Sequence, residues 1–208
     1  AMSLRVLVTG FEPFGGAPRN PSGDAARALH GRTARAGRAF TVTGHVLPVL
    51  WDVAAAQLLA LVREVDPQVV LCLGMAQGTF RVERFADDAR RATQDNGGRL
   101  PDPPRPAPTV RLATRLPVAR VEAALAAAGA PVESSEDAGG FLCNEVFFAL
   151  MSACREGLLR GVRRAGFLHV PNDRHVPEAM PQAALEAAVE AAIQATLEDL
   201  EEVSALVT

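Results

Sequence analysis

The chain has 208 residues, 49% apolar and 22% charged, with a formal net charge of -3. That length suits one globular domain, and the apolar fraction excludes intrinsic disorder, because a disordered chain lacks the hydrophobic surface to offset its ordering entropy. The near-neutral charge and the lack of a basic cluster argue against a nucleic-acid partner. The longest apolar run, Val69 to Ala76, is under half of the roughly 20 residues needed to cross a bilayer, so no membrane partner is expected.

The first eleven residues carry one Arg and pass directly into a strand-like pattern, so no signal peptide is read. Cys72, Cys143 and Cys154 are an odd number without close pairing, which fits a reducing, cytoplasmic setting. All 21 basic residues are Arg, and there is neither Lys nor Tyr. Schiff-base lysines, P-loop lysines and tyrosine acid/base chemistry are thereby excluded.

In chain order, Leu4 to Thr9 reads as a strand closed by Gly10, followed by the loop GFEPFGGAPRNPS and a helix from Gly23 to about His30. Phe40 to Val46 is a second strand, Val53 to Val65 an amphipathic helix, and Gln68 to Leu73 a buried strand closed by Gly74. Thr93 to Pro108 is dense in Gly and Pro, which predicts an exposed arm able to pack on another subunit. A strand near Val110 to Leu112, a helix from Val118 to Ala128 and a strand near Pro131 to Ser134 come next. A helix from about Cys143 to Glu156, a strand from Ala165 to Val170 and an alanine-rich helix from Pro181 to Glu202 complete the pattern. This alternation predicts a three-layer α/β/α sandwich around an open, mostly parallel twisted sheet, formed by residues 1–208 as a single domain.

Ligands of such sheets sit beyond the carboxyl ends of the strands. That rule selects Phe11 to Asn20, Gly74 to Glu83, Gly139 to Asn144 and the residues after Leu168. None of them carries a nucleotide-binding glycine motif or a GxSxG elbow. Nor is there HExxH or CxxC, and the pair His169 and His175 lacks further ligands, so neither metal nor cofactor is expected.

Cysteine chemistry remains. Cys72 lies within an apolar strand and Cys154 near a helix end, both plausible as small core hydrophobes. Cys143 follows Gly139-Gly140-Phe141-Leu142 and opens a helix, where the positive end of the helix dipole favours thiolate. The plainer reading is that many cysteines open helices without doing chemistry. Of four histidines, His169 stands at the carboxyl end of the last strand, where a base is needed, although a satisfied core histidine is the bland alternative. Glu83 in Phe80-Arg81-Val82-Glu83-Arg84 is a candidate to orient that imidazole, or else a surface carboxylate in an ion pair.

Three stretches taken together, VTGFEPFGG followed by Asn20-Pro21-Ser22, GGFLCNEVFF, and GFLHVP, resemble the pyroglutamyl peptidases of type I, also called pyrrolidone-carboxylate peptidases, a family of cysteine peptidases. The resemblance runs from Leu4 to about Pro171 and includes Leu116 to Val121. It implies hydrolysis of the bond after an N-terminal pyroglutamyl residue of peptides, with Cys143 as nucleophile, His169 as base and Glu83 as orienting acid. Arg90, in a run resembling the family's Asp/Glu-Ala-Arg, and Asn144 are implied as support for the oxyanion beside the backbone amides of the Cys143 helix.

Around the lactam ring the resemblance implies Phe11, Phe14, Asn20 and Phe141; backbone groups near Gly74 to Ala76, at Met75, and near Phe141 to Leu142 are read as the polar partners. Pyroglutamate has no amine to protonate, so apolar walls with one donor and one acceptor suit it. Asn20 before Pro21 is equally readable as a turn residue. The family's assembly implies a homo-oligomer, a tetramer. Four departures stand out: Val82 where the family usually has Pro, Met75 where a glutamine usually follows the rim glycine, a shorter stretch from Glu83 to Arg90, and a loop from Thr93 to Asp102 that keeps only part of the family's pattern in Asp95-Asn96-Gly97. A non-catalytic homologue that binds pyroglutamate or a peptide end is the alternative, and a related α/β hydrolase or nucleoside-processing enzyme a more distant one.

Overall fold

The run LRVLVTGF, Leu4–Phe11 (β1), is buried along almost its whole length, the pattern of a strand covered on both faces. Here and below, the structure is a computed structural model that describes residues 3–36, 38–171 and 180–207. After β1 the chain loops back into Pro21–Leu29 (α1), where the Asn20 side chain caps the helix and proline occupies its first turn. α1 crosses β1 at close range. A Cβ on Gly10 would lie 2.1 Å from the Ser22 carbonyl oxygen, so only glycine admits this approach.

Thr33–Ala36 (β2) and Arg38–Leu47 (β3) form an antiparallel pair, followed by Val53–Val65 (α2) and Val69–Ala76 (β4). Two short strands, Phe80–Glu83 (β5) and Phe85–Asp87 (β6), precede a long connection to Arg111–Ala113 (β7) and Val118–Ala127 (α3). Val132–Ser135 (β8), Leu142–Arg155 (α4), Arg164–Pro171 (β9) and Gln182–Leu206 (α5) follow. The main sheet has the order β2-β3-β1-β4-β9-β5-β8, while β6 and β7 pair separately. β1 with β3, β1 with β4, β4 with β9 and β5 with β8 run parallel; β2 with β3 and β5 with β9 run antiparallel.

One hydrophobic layer joins α1, α3 and α5 to the sheet through residues such as Leu29, Leu125, Leu71 and Ile193. The opposite layer joins α2 and α4 through Leu58, Val62, Phe147, Leu150 and Phe167. Burying a side chain of this size contributes about 1.5–3 kcal/mol. The expected α/β/α layering around a mostly parallel sheet is therefore what the chain forms. None of the described helices is long and apolar enough to cross a membrane.

Three strands went unread in the sequence: β2, β5 and β6. They are three or four residues long, and β5 alternates Phe-Arg-Val-Glu, so its strand character comes from pairing between β9 and β8 rather than from hydrophobicity. The Gly/Pro-rich connection is exposed along most of Thr93 to Pro108, as expected, with only Asp95 and Pro101 buried. It lacks a helix but is fastened to the body as a strap: Arg90 and Arg105 bridge through their backbones, and Asp95 accepts from the amides of Trp51, Gly97 and Arg99. Burial would raise the Asp95 carboxyl, but those backbone donors and Arg99 outweigh it and hold it below the usual carboxylate range.

Candidate active site

The site is built where α4 begins. Phe141 stands before the helix in extended conformation and supplies no side-chain cap, so the first amides of α4 are left for another acceptor. Cys143 is the second helical residue. Its sulfur rests on Gly74 near the end of β4: a Cβ added to Gly74 would sit 2.5 Å from Cys143 Sγ and 2.7 Å from Phe167 Cζ. Gly74 is the register partner of His169 on β9. Facing residues of neighbouring strands project to the same side, so thiol and imidazole share one face of the sheet, one strand apart.

His169 is only 6% exposed, and its Nδ1 lies 2.7 Å from Glu83 Oε1. Glu83 is fully buried at the end of β5, and its other oxygen accepts the hydroxyl of Ser135, its register partner on β8. A carboxylate only accepts, so Nδ1 carries the proton and Nε2 keeps its lone pair. The Phe167 ring, 4.9 Å from the imidazole and tilted by 60°, limits its rotation. Ser135 was missing from the sequence reading. Its signal was available only once β5 and β8 were known to pair in register.

Burial pushes the Cys143 thiol up to about 12, with Glu83 and Cys72 adding to the rise and its own backbone N–H and Arg81 opposing it. Burial thus works against the thiolate that the positive end of the helix favours. Cys72 is also raised to about 12 by burial, and Cys154 is raised by burial too, which fits their core packing. His175 lies outside the described residues.

Aromatic rings close one side of the site. Phe141 packs against Phe14 at 5.9 Å between centroids and edge-on to Trp51 at 5.3 Å, with Phe11 buried at the end of β1. Trp51 was not foreseen, although it is the one tryptophan in the chain. The strap holds it: its indole N–H donates to the Thr93 carbonyl at 2.9 Å and its amide to Asp95 Oδ2 at 3.0 Å.

Other candidates are occupied elsewhere. Asn20 Oδ1 accepts from the Ser22 amide and hydroxyl, and its Nδ2 donates to the Glu12 carbonyl, so it braces the loop and the turn-residue reading accounts for it. Met75 belongs by alternation to the face of Leu71 and Leu73, opposite Gly74, and the Leu142 side chain is core. Asn144 is buried, accepts from the Asp87 amide and donates to the carbonyls of Asp87 and Ala89. It ties that segment to α4.

Arg90 is not brought together with Cys143. Its guanidinium donates to Asp52 Oδ1 at 2.8 Å, lies 3.6 Å from Glu145 Oε1 and stacks over Trp51 at 5.3 Å. Arg90 thereby bridges the start of α2 and the first turn of α4. Glu145 in that bridge is pushed up to about 7, chiefly by burial, against the Asp52 amide and Arg90. The arrangement as a whole provides a sulfur, a base, a carboxylate that orients the base, uncapped amides and an apolar wall.

Comparison with known proteins gives a consistent answer. A family model for pyroglutamyl peptidase matches residues 4–200. The pyrrolidone-carboxylate peptidase of Cupriavidus pinatubonensis is 41% identical over 181 residues, covering 83% of this chain and 79% of that one. That of Gloeobacter violaceus is 40% identical over 183 residues, covering 84% and 83%. Among solved structures, the pyrrolidone carboxyl peptidase from Thermococcus litoralis has a TM-score of 0.83 at 31% identity and covers 96% of each chain. Pyroglutamyl peptidase I from Bacillus amyloliquefaciens has a TM-score of 0.82 at 27% identity, covering 94% of this chain and 95% of that one. This chain belongs to the pyroglutamyl peptidase family.

Proposed function

We propose that the protein hydrolyses the bond after an N-terminal pyroglutamyl residue of peptides, with Cys143 as nucleophile, His169 as general base and acid, and Glu83 as the residue that positions His169. The observation that carries this reading is the Glu83–His169 hydrogen bond at 2.7 Å, one strand from the glycine on which the Cys143 sulfur rests. As the scissile carbonyl approaches, the Sγ proton passes to His169 Nε2 and a sulfur–carbon bond forms. Glu83 sets its negative charge against the imidazolium, and the uncapped amides at the start of α4 receive the oxyanion.

Collapse of the intermediate breaks the carbon–nitrogen bond, and the proton on Nε2 goes to the leaving amine. Water then gives a proton to His169 and attacks the thioester. The sulfur–carbon bond breaks, the proton returns to sulfur, and pyroglutamic acid departs. Every proton that leaves sulfur or water is carried by one imidazole, so no metal is needed. Phe14 and Phe141, backed by the fully buried Trp51, form the aromatic wall for the flat lactam, which bears no charge to neutralise.

Chromophore release from a pyroglutamyl anilide tests the reading. Activity is expected to survive a chelator and to fall by at least about a thousandfold in Cys143→Ser. Activity retained in that variant, lost with chelator, or missing from the folded wild type would overturn it. The proposal extends to one catalytic domain assembled as a homo-oligomer in the cytoplasm, supported by three free cysteines and by the family resemblance. A monomer mass by light scattering at micromolar concentration would refute the assembly, two separate unfolding transitions the single domain, and recovery from the secreted fraction the location.

A further inference from the structure

Along the rim, consecutive strands carry consecutive parts of the proposed reaction. β1 ends in Phe11, β4 carries Gly74 with the sulfur upon it, β9 carries His169, and the next strand, β5, carries Arg81. Neighbouring strands lie about 4.8 Å apart. An acyl group on the sulfur that rests against the aromatic wall has its leaving residue on the opposite side, over His169, which must reach the departing nitrogen. One strand beyond His169 is Arg81.

Arg81 and His169 are register partners in the antiparallel pair of β5 with β9, so their side chains leave the sheet on the same face. Glu83, two residues along β5, shares that face and holds the imidazole, which fixes the parity. Arg81 Nε is buried and without a hydrogen-bond partner among the described residues. Thr79 Oγ1, two residues earlier, is in the same condition. Glu133 faces Arg81 across the pair of β5 with β8, yet it is exposed and forms no ion pair with it among the described residues. The positive charge of Arg81 reaches the Cys143 sulfur, where it opposes the effect of burial.

Two buried donors left unmatched beside a general base are costly unless an acceptor arrives. A guanidinium selects a planar acceptor with two oxygens, which is the geometry of a carboxylate. We propose that Arg81, with the Thr79 hydroxyl, binds a carboxylate on the residue that follows the scissile bond and so sets specificity on the leaving side. The inference rests on the pyroglutamyl-peptidase reading above. Its ligand is the free C-terminus of a pyroglutamyl dipeptide or an acidic side chain next to the scissile bond.

The test compares kcat/KM for pyroglutamyl-alanine with that for its amide, and for pyroglutamyl-glutamate amide with that for pyroglutamyl-glutamine amide. The wild type is expected to favour the carboxylate about tenfold or more in one of the two pairs. The first pair identifies a free C-terminus as the ligand, the second a side chain. Arg81→Gln brings the ratio close to one and Arg81→Lys keeps part of it, a change in ratio that a merely structural role would not produce. If Arg81→Gln does not fold, the decline of the wild-type ratio with added salt decides instead. Ratios near one in a wild type that cleaves the anilide, or an unchanged ratio in folded Arg81→Gln, overturn this proposal and leave the parent reading standing. Failure to cleave any pyroglutamyl compound overturns both.

Discussion

Gly74→Ala is expected to lower kcat/KM on a pyroglutamyl anilide by about a hundredfold or more, with most of the loss in kcat. The position does not need glycine for its backbone, since Gly74 is not among the glycines with positive φ. It needs glycine for space. The new Cβ would lie 2.5 Å from Cys143 Sγ, 2.7 Å from Phe167 Cζ and 3.1 Å from Phe167 Cε1. Phe167 cannot simply retreat, because its ring stands between Phe147 at 5.9 Å and the His169 imidazole at 4.9 Å. Relief of the clash therefore displaces the nucleophile, the base, or both. Overpacking of this kind costs about 1–3 kcal/mol of stability, whereas a shift of about 1 Å in reacting groups can cost about a hundredfold in rate. Kinetics alongside thermal melting separate the two effects. A folded Gly74→Ala protein with wild-type kcat would show that the sulfur does not react from its place over the sheet.

Glu83→Gln should be more damaging, with kcat reduced by about 10³ to 10⁴-fold, in line with the loss when the orienting carboxylate of a catalytic triad becomes an amide. Both oxygens of Glu83 accept, one from His169 Nδ1 and one from the Ser135 hydroxyl. Glutamine offers one acceptor and one donor. If the amide NH2 meets Nδ1, the imidazole must place its proton on Nε2 and can no longer receive the one on sulfur. If the oxygen meets Nδ1, the tautomer survives but the countercharge to the imidazolium is gone. Because the carboxylate is fully buried, water cannot supply a substitute. KM is expected to change little, since Glu83 contacts the base and not the ring pocket. A Glu83→Gln variant within tenfold of the wild-type kcat would remove Glu83 from the mechanism.

The residues with the strongest chemistry were legible because their positions follow local rules. A cysteine opening a helix after two glycines and a histidine closing an apolar strand both fall at the carboxyl rim of a parallel sheet. The helix Val53–Val65 matches its predicted bounds because its periodicity is complete. What stayed hidden depends on pairing between distant segments. β5 is four residues inserted antiparallel to β9, and nothing in Phe-Arg-Val-Glu announces its neighbours. Ser135 and the alignment of Arg81 with His169 are consequences of register, and the place of Trp51 depends on its hydrogen bonds to the distant strap, none of which sequence alone supplies. Asn20 and Asn144 show the converse. Their positions were found, but only the structure reveals that their hydrogen-bonding groups are committed to backbone.

The strap has a consequence for how a small neutral ligand can be held at all. Glu12 accepts from the Val49 amide and from Asn96 Nδ2, Asn96 also donates to the Pro13 carbonyl, and Asp95 accepts from Trp51. The loop bearing Phe14, the turn bearing Trp51 and the strap thus form a single stitched piece around the aromatic wall. Rigidity on this scale is acquired during folding, before any substrate arrives. A lactam ring with few atoms and no charge has little interaction energy to give, and none of it has to be diverted into ordering loose loops. The remainder is free to fix the orientation of the carbonyl that the sulfur attacks.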